Sequence, residues 1–307
     1  MGKIIKPLIV ILGPTAVGKT AISIRLAERL NGEIISADSR LFYKGMDIGT
    51  AKPDLAELAL VPHHLIDIAD PDDEWSLARY LRAVVEIIKE IHGRDRVPFL
   101  VGGTGQYIQA VVEGWDLPGI KPNPQLRQVL SDWSEEIGID GIRSRLEVLD
   151  QDAAANIDGP NLRRMIRALE VILTSGRKFS TQQRKKGSVF DILQIGLIRS
   201  REELFERIDL RIDKMIDDGL IEEVQALLDA GYDPESSSMS AIGYKQISSY
   251  INQEISLEEA VRLIRSKTRK YVRQQANWFR FDDPNISWYE VSGDPFDQIL
   301  TEIQQFL

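Results

Sequence analysis

The chain has no cysteine among its 307 residues, which removes disulfide frameworks, zinc ribbons and thiol chemistry together. It has no apolar run approaching the roughly 18 residues that a membrane-spanning helix needs. Met1 to Leu12 leads directly into a glycine-rich motif, so this stretch is not read as a cleavable signal. Lysine at position 6 also breaks the myristoylation pattern. With no membrane partner in view, the expected location is the cytoplasm. Histidine is scarce, and two of the three, His63 and His64, are adjacent. Neighbours in an extended segment point to opposite faces, so the pair cannot ligate one metal and is read as hydrogen-bonding structure. What remains is an ordinary globular composition, 43% hydrophobic and 28% charged. It is enough for one large domain or two moderate ones.

The strongest local pattern lies near the start. Leu8-Ile9-Val10-Ile11-Leu12 is too short for a helix and too uniformly apolar for a half-exposed strand. It predicts a buried strand of a parallel sheet. Gly13-Pro14-Thr15-Ala16-Val17-Gly18-Lys19-Thr20 follows, a complete G-x-x-x-x-G-K-[ST] phosphate loop. A helical pattern then runs through Ala21, Ile22, Ile24, Leu26, Ala27 and Leu30, and stops at Asn31-Gly32. Strand, loop and helix therefore come in the order that a di- or triphosphate site requires. The glycines let successive N–H groups point inward, and the helix adds its positive end. Lys19 would neutralise phosphate charge, and the Thr20 hydroxyl would ligate Mg²⁺.

Glu33 to Ala37 reads as a second strand, ending at Asp38-Ser39-Arg40. Ligands of open α/β sheets sit beyond the carboxyl ends of the strands. Asp38 is therefore a candidate general base or metal-shell carboxylate, with turn former or helix cap as the alternative. Residues 39–62 are glycine-rich and charged, and predict a shaped loop. Leu77 to Ile91 predicts an amphipathic helix, and Val97 to Val101 a third strand followed by Gly102-Gly103-Thr104-Gly105. An ATPase or GTPase would carry an acid at that strand end. None is present, so nucleotide hydrolysis is a poor fit. Thr104 offers a hydroxyl on a turn built of small residues.

From Trp115 to about Phe190 the pattern changes. Pro118, Pro122 and Pro124 break the chain, and helical stretches follow at Leu126–Trp133, Ile139–Leu149 and Arg163–Leu173. The strand pattern resumes at Asp191 to Ile198, so the helical segment reads as an insertion into one α/β core. Helices are predicted at Glu202–Ala230, Glu258–Phe279 and Pro295–Phe306, with a strand at Ile286–Val291. The net charge is −9, yet two stretches are strongly basic. Asn161 to Lys186 holds eight cations against Glu170 alone, and Val261 to Arg280 holds seven against no acid. Either run alone is as well explained as a solvated face, but two in an acidic protein favour a polyanion site.

The ordered set GPTAVGKT, ISADSRLFYKGMDIGTAKP, VPHHLIDI, FLVGGTGQYI, RRMIRALE, SAIGYKQ and TRKYVRQQANWFR closely resembles the bacterial tRNA dimethylallyltransferases. The resemblance implies an α/β fold, a P-loop NTPase-like parallel sheet core (1–115 and 190–307) with an inserted all-helical domain (116–189). It implies that the phosphate loop holds dimethylallyl diphosphate, and that the dimethylallyl group passes to the exocyclic amine of the adenine 3′ to the anticodon. On this reading Asp38 accepts the amine proton, Thr104 orients the reacting groups and Arg211 adds a second cation at the diphosphate. A surface ion pair is the alternative for Arg211.

The implied tRNA contacts are Asp38, Ser39, Arg40 and Leu41 at the target base. Arg163, Arg164, Met165, Ile166 and Arg167 on the insert, with Arg269 and Arg273, would meet the anticodon stem-loop. The implied cofactor is Mg²⁺ and the chain is read as a monomer. Three rivals stay open: an isopentenyltransferase acting on free adenine nucleotides, a nucleotide-type kinase, and a non-enzymatic RNA-binding switch. The kinase shares the loop and the arginine-bearing helices. The switch leaves Asp38 and the missing strand-end acid without a role.

Overall fold

The uninterrupted apolar run at Leu8–Leu12 forms the middle of a six-stranded parallel sheet, and all five side chains are fully buried. A strand covered on both faces has no use for alternation, and each such side chain contributes about 1.5–3 kcal/mol by leaving water. The structure is a computed structural model describing residues 6–117, 120–182 and 184–307. The leader reading of Met1–Ile5 and the chain break at Pro118 lie outside these residues.

The chain divides into two compact units, Met1–Val112 with Ser188–Leu307, and Glu113–Gly187. The first begins with β1 (Pro7–Leu12), α1 (Lys19–Arg29), β2 (Gly32–Ser36), α2 (Leu55–Leu60) and β3 (His63–His64). It continues through α3 (Leu77–Gly93), β4 (Val97–Gly102) and α4 (Gly105–Val112). The second unit holds β5 (Trp115–Asp116), α5 (Pro124–Leu149), α6 (Gln151–Asn156), α7 (Leu162–Ser175), α8 (Phe179–Gln182) and β6 (Arg184–Lys185). The first unit resumes with β7 (Asp191–Ile198), α9 (Arg201–Asp217), α10 (Leu220–Asp229) and α11 (Tyr244–Ile251). It closes with α12 (Leu257–Ala276), β8 (Ile286–Glu290) and α13 (Phe296–Phe306).

The strand order is β3-β2-β4-β1-β7-β8, all parallel, so β1 is flanked by β4 and β7. Every strand consequently ends on one edge of the sheet, where the phosphate loop, Asp38 and Thr104 emerge from three neighbouring strands. Each unit has its own apolar core. The second unit is helical apart from the two-residue antiparallel pair of β5 with β6. In it, the two helices predicted before Asp150 run together as α5, broken at Gly138, whose φ of 72° ends the first half.

Two local features depart from the sequence reading. The loop expected over 39–62 contains α2, which has no buried residue and is started by a capping box between Asp54 and Glu57. At six residues the helix is too short for a helical period to stand out in the sequence. The helix expected over Glu202–Ala230 is two helices, separated where Gly219 takes a φ of 104°. Among the described residues no helix is long and apolar enough to cross a membrane.

Candidate active site

The phosphate loop turns tightly at the end of β1. Gly13 has a φ of 151°, and a Cβ there would lie 2.6 Å from the carbonyl oxygen of Leu197 on β7. Gly18, with a φ of 110°, precedes α1 without a side-chain cap, leaving the helix's first N–H groups free for an anion. Side chains from far along the chain fix the loop from outside. Gln275 Oε1 accepts the Thr15 N–H at 2.9 Å. Arg207 Nε donates to the Ala16 carbonyl at 2.8 Å and Arg199 Nε to the Val17 carbonyl at 3.0 Å. A peptide unit is planar with its N–H opposite its C=O, so holding the Val17 carbonyl turns the Gly18 N–H the other way.

Lys19 Nζ donates to the carbonyls of Gly13 and Pro14 at 3.0 and 2.8 Å. Burial pushes this ammonium down to about 8; the Asp38 carboxylate works against the shift and the Arg211 guanidinium adds to it. Lys19, Thr20, Asp38 and Arg211 border one cavity of about 330 Å³, together with Thr15, Ala16, Gly18, Leu41 and Arg207. Its apolar wall includes Ile34, Ile66 and Val101. Arg211 is therefore a cavity residue, and the surface ion pair considered for it is not what forms. Burial lowers its pKa, and the neighbouring Arg207 charge adds to this. Val17 is fully buried, while Pro14 faces a separate, apolar cavity.

Asp38 follows β2. Its Oδ1 accepts the Arg40 N–H at 2.9 Å and its own N–H reaches Ser36 Oγ at 3.2 Å. The carboxylate is thus a turn former as well as a cavity residue. Thr104 is tied to the same turn: its N–H donates to the Ala37 carbonyl at 3.2 Å, and its Oγ1 accepts from the Ser39 N–H at 3.4 Å. The missing acid at the end of β4 has a spatial reason. A Cβ on Gly102 would stand 2.3 Å from the Ala37 carbonyl oxygen, so position 102 has no room for a side chain. Arg40 Nη1 donates to the Ser237 carbonyl at 2.6 Å, which fixes the turn on its outer side.

A profile described as IPP transferase matches residues 41–282. The tRNA dimethylallyltransferase of Roseiflexus sp. is 48% identical over 301 residues, covering 98% of this chain and 99% of that one. Two solved structures align along nearly the whole chain. The full-length tRNA isopentenylpyrophosphate transferase from Bacillus halodurans matches with a TM-score of 0.72 at 41% identity, covering 98% and 95% of the two chains. A eukaryotic dimethylallyltransferase, captured acting on tRNA, matches with a TM-score of 0.82 at 28% identity, covering 97% and 77%. The chain belongs to the IPP transferase family.

The second basic run of this IPP transferase is less free than its sequence implies. Arg269 pairs with Asp209, Arg265 with Asp213, Arg262 with Glu259 and Arg280 with Asp282. Arg269 also stands over the Phe205 ring. Lys267, Lys270 and Arg273 are exposed. On α7 the expected RNA contacts divide. Arg163 and Arg164 are exposed, but Met165 is fully buried in the second unit's core and Ile166 packs against it. Arg167 is engaged with buried Glu170 at 2.6 Å and with the Ile120 carbonyl at 3.1 Å. Met165 is thus corrected from an RNA contact to internal structure, because the same helical turn must also seal the insert.

The IPP transferase site includes residues that sequence reasoning missed. Gln275 and Tyr271 lie on the inner face of a helix read only for its cations. Burial pushes the Tyr271 hydroxyl up to about 12, with the Asp38 charge adding to this and contacts from Thr104 and Gln275 opposing it. A polar Gln275 in register with the buried residues of α12 was the available signal. The adjacent histidines hydrogen-bond as expected: His63 Nδ1 to the Val61 carbonyl at 2.8 Å, and His64 Nε2 to buried Glu33 at 2.6 Å.

Proposed function

We propose that this IPP transferase moves a dimethylallyl group from dimethylallyl diphosphate to the exocyclic amine of the adenine 3′ to the anticodon in tRNA, releasing diphosphate. One observation carries the reading. Lys19 and Thr20 of the phosphate loop share a cavity with Asp38, while position 102, at the strand end that would hold a hydrolytic acid, has no room for a side chain. That combination suits a diphosphate leaving group and a proton acceptor, and it gives a water nucleophile no carboxylate at the usual place.

The diphosphate occupies the uncapped start of α1 and draws Lys19 away from the Gly13 and Pro14 carbonyls. As the carbon–oxygen bond breaks, Lys19, Arg211 and the loop N–H groups stabilise the charge gathering on the leaving group. The adenine nitrogen forms the new carbon–nitrogen bond, and Asp38 takes the proton that the amine loses. Thr104, bonded to the turn that carries Asp38, sets the direction of approach. The Thr20 hydroxyl is a hard oxygen donor of the kind that would hold a Mg²⁺. When bound, that ion supplies further charge neutralisation.

Flipping the adenine out of its stack costs a few kcal/mol, which contacts elsewhere must offset. Exposed Arg163 and Arg164 on the insert, and Lys267, Lys270 and Arg273 on α12, are suited to phosphate contacts that position the stem-loop without reading sequence. The test is incubation with unmodified tRNA, Mg²⁺ and dimethylallyl diphosphate, followed by digestion and mass measurement of the nucleosides. The expected product is dimethylallyl-adenosine, reduced about 10²–10⁴-fold in rate by Asp38→Ala. Prenylation of free AMP with tRNA untouched would overturn the tRNA assignment, and turnover of ATP alone would overturn the reaction class.

A further inference from the structure

Tyr271 and Gln275 lie four apart on one face of α12, and Trp278 follows just past the end of the helix. That face meets the two turns that carry the proposed chemistry. Gln275 is 3% exposed, and its amide is used at both ends. Oε1 accepts the Thr15 N–H of the phosphate loop at 2.9 Å, and Nε2 donates to the Gly103 carbonyl at 2.8 Å. Gly103 is closed around this contact, since a Cβ there would lie 2.3 Å from Gln275 Nε2 and 3.1 Å from the Gly13 carbonyl. Trp278 covers Gly105 so tightly that a Cβ would lie 2.2 Å from its indole, and the Trp278 carbonyl accepts from Gln109 Nε2 at 3.2 Å. Thr104 sits between these two clamped glycines, and Tyr271 lies one helical turn before Gln275 on the same face of α12.

We propose that Gln275 is a positioning residue for prenyl transfer, and that the Tyr271–Gln275–Trp278 stripe fixes the spacing between the diphosphate cradle and Thr104. The inference rests on the proposed transfer reaction and adds to it a residue that touches neither substrate. The two turns leave adjacent strands, and Gln275 hydrogen-bonds to both of them. One planar amide, donor on one side and acceptor on the other, holds both backbones at a fixed separation. Its Oε1 also consumes the Thr15 N–H, so the loop presents its later N–H groups to the diphosphate. Because the same helix exposes Lys270 and Arg273 on another face, RNA docking on α12 would stiffen the cradle through this amide.

The experiment compares wild type with Gln275→Met, which fills similar volume without either hydrogen bond, and with Tyr271→Phe, which removes only a hydroxyl. Inorganic pyrophosphate binding is measured by calorimetry, and KM and kcat are measured separately for the two substrates. For Gln275→Met the expected result is about tenfold weaker pyrophosphate binding, a similar rise in KM for dimethylallyl diphosphate, and a KM for tRNA within about twofold. Tyr271→Phe should lower kcat about three- to tenfold and leave pyrophosphate binding unchanged. A merely structural role would lower the active fraction and so kcat, with both KM values unmoved; that outcome for Gln275→Met overturns the proposal. If Gln275→Met does not fold, an unchanged kcat in Tyr271→Phe overturns it and the expected loss supports it. If wild type fails to prenylate tRNA while Gln275→Met still weakens pyrophosphate binding, the transfer reading falls and the clasp survives.

Discussion

Two strand-to-helix turns stand side by side on the sheet edge and solve opposite problems. The turn after β1 is built from what it presents: N–H groups, a lysine and a threonine bordering one cavity. The turn after β4 is built from what it leaves out, since Gly102, Gly103 and Gly105 each have a neighbour where a Cβ would go. The first shows itself in sequence because its chemistry needs particular residue types at fixed intervals. The second is defined by the space that other segments occupy, and runs of small residues are just as common in turns that do no chemistry. A catalytic edge is as much a matter of excluded side chains as of supplied ones.

Removing charge from the first turn should have the largest effect. Lys19→Ala is expected to lower kcat for prenyl transfer about 10²–10³-fold and to weaken pyrophosphate binding in calorimetry. Adding bulk to the second turn should separate the two functions. Gly102→Ala pushes against the Ala37 carbonyl next to Asp38, so kcat should fall about 10²-fold while pyrophosphate affinity changes little. Equal losses in both quantities would show that the turns are not independent.

The smallest effect comes from pH. Burial holds Lys19 near 8 in the free enzyme, below the ordinary lysine value, so the cation is present below that pH and is lost above it. Diphosphate stabilises the charged form, so affinity should be flat below about pH 8 and fall up to about tenfold per unit above it. Lys19→Arg should flatten this limb in a titration of pyrophosphate affinity against pH.

Much of this architecture is legible from local pattern. The apolar runs at Leu8–Leu12 and Val97–Val101, the glycine and lysine spacing after the first, and the return of strand character at Asp191 all follow from periodicity within a short window. The site is legible where a motif fixes a residue, as with Lys19, Thr20 and Asp38. It is not legible where a partner lies far along the chain. Gln275 reaches Thr15 across 260 positions, and Asp209 neutralises Arg269 across 60. The basic run on α12 therefore looks freer in sequence than it is, because the counter-charges of Arg265 and Arg269 sit on α9. Met165 misleads for a related reason: a motif taken as one surface contains both faces of a helix.

The pairing of β1 with β7 has a consequence for how the chain is made. Pro7 pairs with Asp191 and Leu12 with Gly196, so the most buried strand keeps one open edge until the far side of the insert has been synthesised. At about 5–20 residues per second the nascent protein carries that unpaired edge for roughly ten to forty seconds. The helical segment, with an apolar core of its own, has everything it needs to fold first. The insert is thus also a delay in biogenesis, during which one edge of Leu8 to Leu12 stays open to pairing with another chain.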